Sequence, residues 1–237
     1  ALEYGTNARS CVRAVARQPV EIEAGVEVDA EWTWDFVESG SLPMGAEVWW
    51  EWEATLANGE TARSLRQTKT LIDQNFTWEQ TGFDAEDPTA VNLWYHDTGK
   101  TFALNLAKIG QQALQRMQED FGFTPSRPVQ IILYNGAEEV FNSGLYFTEW
   151  VGGYASLAYG LIVIGVEEGD YDWGEEVITH ELGHLVSNEL THNCLAVEMP
   201  TWLSEGFSMY AEGGADNLSK ERVLSALEDG TLPALRT

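Results

Sequence analysis

The hydrophobic pattern of this chain changes period after its first third, and this change constrains the fold more than any other feature. Apolar residues alternate strictly over residues 26–36, and the pattern repeats over residues 46–54 against Glu47, Glu51 and Glu53, which indicates two half-buried strands. Asn58 and Gly59 suit a tight hairpin turn, and a third strand is expected over residues 61–70. We therefore predict a small antiparallel β-sandwich with immunoglobulin-like strand spacing.

Four tryptophans fall on the apolar side of the alternating segments, namely Trp32, Trp34, Trp50 and Trp52. Such rings could form a carbohydrate-binding platform, but the alternation directs all four towards the interior of a sandwich. We predict that they belong to its core.

A polar stretch over residues 82–88, which ends at Pro88, is the predicted domain boundary. Beyond it, strands are expected over residues 91–96, 129–134, 153–158 and 161–166, and helices over residues 101–121 and from Asp172 onwards. Asp172 and Glu175 resemble a capping box at the start of that last helix. The order predicts an α+β protein with a β-sandwich domain at 1–82 and a second domain at 89–237.

The chain is strongly acidic, with 13 Lys and Arg against 38 Asp and Glu and a formal net charge of -25. This charge repels nucleic acids and anionic membrane surfaces, so neither is an expected partner. No apolar run approaches the roughly 18 residues that span a bilayer. The acidity is typical of a salty or extracellular setting and does not identify a substrate.

The two cysteines, Cys11 and Cys194, are far apart in sequence, which excludes a Cys-based zinc site. One long-range disulfide in an exported protein and two unpaired buried thiols are both open. The chain begins at Ala1 without a Met or a visible signal peptide, which is typical of a mature or trimmed product. We expect a secreted or cell-surface location.

One five-residue motif carries chemistry: His180 and His184 flank Glu181 in an H-E-x-x-H sequence within a predicted helix. Residues four apart lie one above the other on a helix, so both imidazoles can reach one ion. Zinc accepts such nitrogen ligands and, in a catalytic site, needs a third protein ligand and an open position. Glu181 would lie beside a zinc-bound water and could take its proton.

A second motif supplies the third ligand. Glu205 follows His184 by 21 positions, on the next predicted helix after Pro200. A carboxylate in this place completes a His₂Glu zinc site. The alternative is an acid that only favours the N-terminal end of the helix dipole. The presence of both motifs in order favours the ligand.

The two motifs resemble those of the gluzincin zinc metallopeptidases. W-L-S-E-G-F-S around Glu205 looks like the W-L-N-E-G-F-A of the zinc aminopeptidases, and the whole pattern is most similar to bacterial peptidase MA-like domains. The resemblance runs from Val91 to the C-terminus and implies a catalytic domain with a mixed sheet. It also departs from thermolysin, whose Asp four residues after the glutamate ligand is replaced by Met209, so Glu212 is the candidate acceptor for a ligating imidazole.

Gluzincins bind extended substrates along an edge strand, and the resemblance assigns this role to Gly153, Tyr154 and Ala155. An ordinary sheet edge is the alternative. The segment G-G-Y-A-S occupies the place of the aminopeptidases' G-A-M-E-N, and it lacks the glutamate that anchors a substrate amino terminus. This difference argues against an aminopeptidase.

The resemblance implies zinc-dependent hydrolysis of a peptide or protein substrate, as an endopeptidase, with Glu181 as general base. The alternatives are a zinc aminopeptidase and a non-enzymatic binding module with a structural or vestigial zinc site. Tyr154 and Tyr210 are the candidate donors to the oxyanion. The tail after residue 213 offers one helix and neither Tyr nor His, so we expect a catalytic domain truncated at its C-terminus.

Overall fold

The computed structural model describes residues 1–11, 15–83, 87–144, 152–192, 194 and 199–232. These residues form two five-stranded sheets and six helices. The strands are β1 (Leu2–Thr6), β2 (Ala16–Gln18), β3 (Glu47–Thr55), β4 (Thr61–Arg63), β5 (Gln67–Thr70), β6 (Glu79–Gly82), β7 (Val91–Tyr95), β8 (Val129–Tyr134), β9 (Gly153–Ser156) and β10 (Leu161–Gly165). The helices are α1 (Phe36–Ser39), α2 (Lys100–Phe121), α3 (Ala137–Asn142), α4 (Tyr171–Thr191), α5 (Thr201–Ala211) and α6 (Asn217–Glu228). The α+β class is confirmed.

The first sheet is antiparallel, in the order β2-β1-β3-β4, and β5 pairs with β3 as well. The predicted strand over residues 46–54 is confirmed as β3. The predicted third strand is divided into β4 and β5, which both pair with β3. Gly59 turns the chain between β3 and β4 with φ of 85°. The described residues of this region form one sheet, so an immunoglobulin-like sandwich is not confirmed.

The strand predicted over residues 26–36 is wrong. This segment is outside both sheets, and only its last residue enters a helix, α1. Trp32 and Trp34 pack against Tyr4, with ring centroids 4.4 and 4.8 Å away. The segment is therefore covered on its apolar side only in its second half: Trp32, Trp34 and Phe36 are half-buried, whereas Val26 and Val28 are exposed. It cannot pair with β1, because β2 and β3 already occupy both edges of that strand.

The predicted tryptophan core is also only partly formed. Trp32, Trp34, Trp50 and Trp52 are half-buried, and the buried indole is that of Trp49, which is 8% exposed. Its ring is covered by the guanidinium of Arg66 at 3.9 Å. A cation can cover an indole face on the outside of a sheet, so Trp49 is buried without a second sheet.

The second sheet has the order β6-β7-β8-β10-β9, in which β7, β8 and β10 are parallel and the two edge strands are antiparallel. The strand β6 belongs to this sheet, so the sheet begins before the predicted boundary at residues 82–88. A polar loop with a proline has the same sequence character within a hairpin as between domains, which explains the difference.

Both faces of the second sheet are covered, and its central strands are accordingly rich in buried Val, Ile and Leu. The helices α2 and α4 pack on one face. On the other face, an aromatic cluster contains Phe76, Trp78 and Tyr134. His96 is 2% exposed in this cluster and stacks on Phe76 at 3.9 Å.

The helix α4 begins two residues earlier than its predicted capping box suggests. Asp170 is the N-cap, and its carboxylate accepts a hydrogen bond from the Trp173 N–H at 3.3 Å. The Asp172/Glu175 assignment is therefore wrong, because Asp172 already lies in the first turn. No helix among the described residues has the length and apolar character to cross a bilayer.

The N-terminal segment is fixed to the second half of the chain. Arg9 pairs with Glu189 of α4, and Cys11 forms a disulfide with Cys194, in the connection between α4 and α5. Of the two possibilities that the sequence left open, the structure therefore contains the disulfide.

Replacing both cysteines by serine (Cys11→Ser with Cys194→Ser) should lower the free energy of unfolding by about 2–4 kcal/mol, because the cross-link restricts the unfolded chain over a long loop. Urea unfolding measures the change. A reducing agent should destabilise the parent protein by a similar amount and leave the double variant unaffected. An unaltered unfolding midpoint in the double variant would contradict this prediction.

Candidate metal centre

The two motif histidines are presented by α4. Ile178 and Leu182 of this helix are buried in the core against α2 and the sheet, whereas His180 and His184 are half-buried on the face towards α5. The Nε2 atoms of the two imidazoles are 3.2 Å apart. The helix thus directs two nitrogen lone pairs at one point, as the spacing predicts.

The helix α5 brings Glu205 to the same point. Its Oε2 lies 3.5 Å from His180 Nε2, and its Oε1 lies 3.7 Å from His184 Nε2. One ligand atom from each of the three residues lies within 4.8 Å of the others. Tetrahedral zinc with ligands at about 2.0–2.1 Å separates neighbouring ligand atoms by roughly 3.3 Å, so the donor set fits that ion.

Both imidazoles have a partner for their other nitrogen. His180 Nδ1–H donates to the carboxylate of Glu212, and His184 Nδ1–H donates to Ser204 Oγ at 3.0 Å. These bonds fix the ring orientations and leave each Nε2 with its lone pair towards Glu205. Glu212 is the residue that the sequence analysis named as candidate acceptor for a ligating imidazole. Ser204 was missed, although it directly precedes the predicted ligand on the same helix.

The environment of the site shifts the pKa values of His184 and Glu181. Burial lowers the pKa of His184, which favours the neutral imidazole that binds metals. Burial also raises the pKa of Glu181 to about 7, and the nearby Glu205 adds to this effect, whereas His180 opposes it. A carboxyl group with a pKa near neutrality is well suited to accept and return a proton.

The edge strand β9 runs beside Glu181. Gly165 N–H donates to Gly152 O at 2.9 Å, and the register then leaves the backbone groups of Gly153 and Ala155 on the side away from β10. The Ala155 N–H faces the Glu181 carboxylate and opposes the rise in its pKa. The segment that resembles the substrate strand of gluzincins is therefore an edge, and it contacts the candidate base.

The side chain of Tyr154 lies away from this site. Alternation along β9 places it on the sheet face opposite α4, where it packs with the aromatic cluster, and burial there raises its pKa to about 12. Its hydroxyl is thus not directed at the candidate metal ligands, contrary to the proposed role as oxyanion donor.

Tyr210 also lies away from the site. It follows Glu205 by five residues, a rotation of about 140° around the helix beyond one full turn. The ring is 59% exposed and its centroid lies 6.1 Å from that of Phe121, at the end of α2. The structure therefore places Tyr210 on a different face of α5 from Glu205 and Glu212.

A second grouping of possible ligands consists of Cys11, His192 and Cys194. Both sulfurs are in the disulfide and are not available as thiolates. His192 is the C-cap residue of α4.

Comparison with known proteins agrees with the geometry of the site. No curated protein matches the chain. Residues 109–237 match the family model of the Peptidase MA superfamily, a range that contains α4, α5 and both motifs. Since this match covers more than half of the 237 residues, the chain belongs to the Peptidase MA superfamily.

Proposed function

We propose that the protein is a zinc-dependent peptidase in which His180, His184 and Glu205 hold the metal and Glu181 is the general base. The observation that carries this proposal is the convergence of two imidazole Nε2 atoms and one carboxylate on a single point, with Glu181 adjacent in sequence. Membership of the Peptidase MA superfamily supports peptidase activity in general. The zinc ion and the residue roles are our assignment.

When bound, zinc supplies Lewis acidity, which makes water a stronger acid and polarises a peptide carbonyl. Glu181 accepts the proton of the attacking water, and its raised pKa allows it to pass that proton to the departing amine. The Ala155 N–H favours the ionised form of the Glu181 carboxylate, which is the form that accepts the proton. Glu212 and Ser204 keep the two imidazoles oriented.

The substrate class that we propose is an extended peptide within a protein chain, cleaved internally. The outward backbone groups of Gly153 and Ala155 can pair with such a peptide as an added strand. An anchor for a free amino terminus is absent from the described segment Gly153–Ser156. A peptide blocked at both ends should be cleaved faster than free amino-acid amides, and the reverse preference would favour an aminopeptidase.

We propose a secreted or cell-surface location. The disulfide between Cys11 and Cys194 supports it, since both residues are exposed and a disulfide of this kind persists in oxidising compartments.

The parent protein, purified without chelator, should contain one zinc ion per chain by elemental analysis. His184→Ala combined with Glu205→Ala removes two of the three ligands, so the metal content should fall to the background. Circular dichroism would verify that the variant is folded. If the folded double variant retained a full equivalent of zinc, the ligand assignment would be wrong.

Glu181→Gln should retain zinc and lose about 10²–10⁴-fold in turnover of a quenched peptide, because the amide is nearly isosteric but cannot accept a proton. Glu176→Gln is the matched control, since Glu176 is exposed on the same helix and should keep parent turnover. Parent turnover in Glu181→Gln would exclude it as the base.

Glu212→Gln should weaken zinc binding by about 10–100-fold, because the imidazole of His180 loses an ionised hydrogen-bond acceptor. Competition with a chromophoric chelator measures the dissociation constant. Glu221→Gln makes the same charge change at an exposed position of α6 and should leave the constant unchanged. Equal constants for the two variants would show that Glu212 does not support the ligand.

A further inference from the structure

The helices α4 and α5 approach each other most closely where Gly183 meets Ser208. A Cβ added at Gly183 would lie 2.6 Å from Ser208 Cα, 2.8 Å from its Oγ and 3.1 Å from its Cβ. Ser208 is 0% exposed and is the buried residue of α5. Because the nearest atom belongs to the backbone, no side-chain rotation relieves the clash, and α5 itself must move.

The position of Ser208 on α5 relates this contact to the candidate metal site. Glu205 lies three residues before it and Glu212 four residues after it, so the three share one helix face. Ser204, the partner of His184, lies four residues before it. The contact between Gly183 and Ser208 therefore determines how far Ser204, Glu205 and the C-cap residue Glu212 lie from the two histidines.

We propose that Gly183 and Ser208 are positioning residues that set the α4–α5 spacing at which Glu205 can complete the metal site. This inference rests on the proposed function. A Cβ at position 183 would need α5 to retreat by about 1 Å to restore an ordinary contact. Metal ligands tolerate only about 0.2 Å of error in distance, so such a displacement removes Glu205 from the coordination sphere.

The size of Ser208, rather than its hydroxyl chemistry, is what the contact requires. Its Oγ has no hydrogen-bond partner among the described residues. Ser208→Ala should therefore preserve the spacing, whereas Ser208→Thr adds a methyl group to the interface from the opposite side.

The test compares the same substitution, Gly to Ala, at two positions. Gly183→Ala should raise the zinc dissociation constant of the full chain at least tenfold in chelator competition. Gly206→Ala, on α5 beside Glu205, places its Cβ in open space with no atom within 4 Å, and should change the constant less than twofold. Ser208→Ala should also stay within twofold. Equal effects of the two glycine variants would overturn the proposal.

A double-mutant cycle shows whether the effect passes through Glu205. In a Glu205→Ala background, Gly183→Ala should raise the zinc dissociation constant by a smaller factor than in the parent, because the ligand that it displaces is already gone and only the shift of Ser204 and Glu212 remains. An equal factor in the two backgrounds would show that Gly183 does not act through Glu205, and would overturn the proposal.

The metal-free protein gives a readout that does not depend on the proposed function. In long-range ¹H–¹⁵N spectra, Gly183→Ala should alter the imidazole signals of His180 and His184, whose Nδ1 partners lie on α5, and Gly206→Ala should leave them unchanged. If Gly183→Ala does not fold, Ser208→Thr takes its place with the same expected loss. A parent chain that binds no zinc would refute the proposed function, while unchanged imidazole signals in the displaced variant would refute the spacing role.

Discussion

The burial of one side of α4 is the constraint on which the site depends. Ile178 and Leu182 are fully buried between α2 and the sheet, so the helix has a fixed rotation about its axis. His180 and His184 then face α5, and Glu181 faces the edge strand β9. Because the two imidazoles are half-buried at the edge of the core, they are partly shielded from water and still accessible to an ion. The chemistry of the site thus follows from the packing of a single helix.

The charge of the site favours a cation for a separate reason. Three carboxylates, those of Glu181, Glu205 and Glu212, surround two imidazoles. The two other carboxylates and burial together hold the pKa of Glu181 above its ordinary value. A divalent ion would offset the repulsion between these carboxylates, so metal binding would stabilise the arrangement of the ligands. The overall charge of -25 adds to the attraction for cations at long range.

The sequence predicted those parts of the molecule whose partners are local. The helices α2, α4 and α5 and the strands β7, β8, β9 and β10 follow from period and motif, whereas β6 does not. The Nε2 atoms of the histidine pair converge because residues four apart share a face. Prediction was poorer where a distant partner decides the result. Residues 26–36 have the alternation of a strand but pair with neither sheet, and His96 is polar but lies among aromatic rings. Tyr154 and Tyr210 both lie away from the metal site because of distant partners, the aromatic cluster and the end of α2. No local sequence pattern predicts where these partners lie.

The proximity of the Ala155 N–H to the Glu181 carboxylate relates two features that the sequence analysis treated separately. It brings the candidate base to the open edge of β9, whose outward backbone groups lie at Gly153 and Ala155. A Cβ at Gly153 would lie 2.8 Å from Val177 Cγ2, so this edge can approach α4 only without a side chain at that position. Gly153 therefore permits the close α4–β9 contact, as Gly183 permits the close α4–α5 contact. The edge strand β9 and the ligand Glu205 of α5 are thus both placed by how closely their elements can approach α4, the helix that carries Glu181.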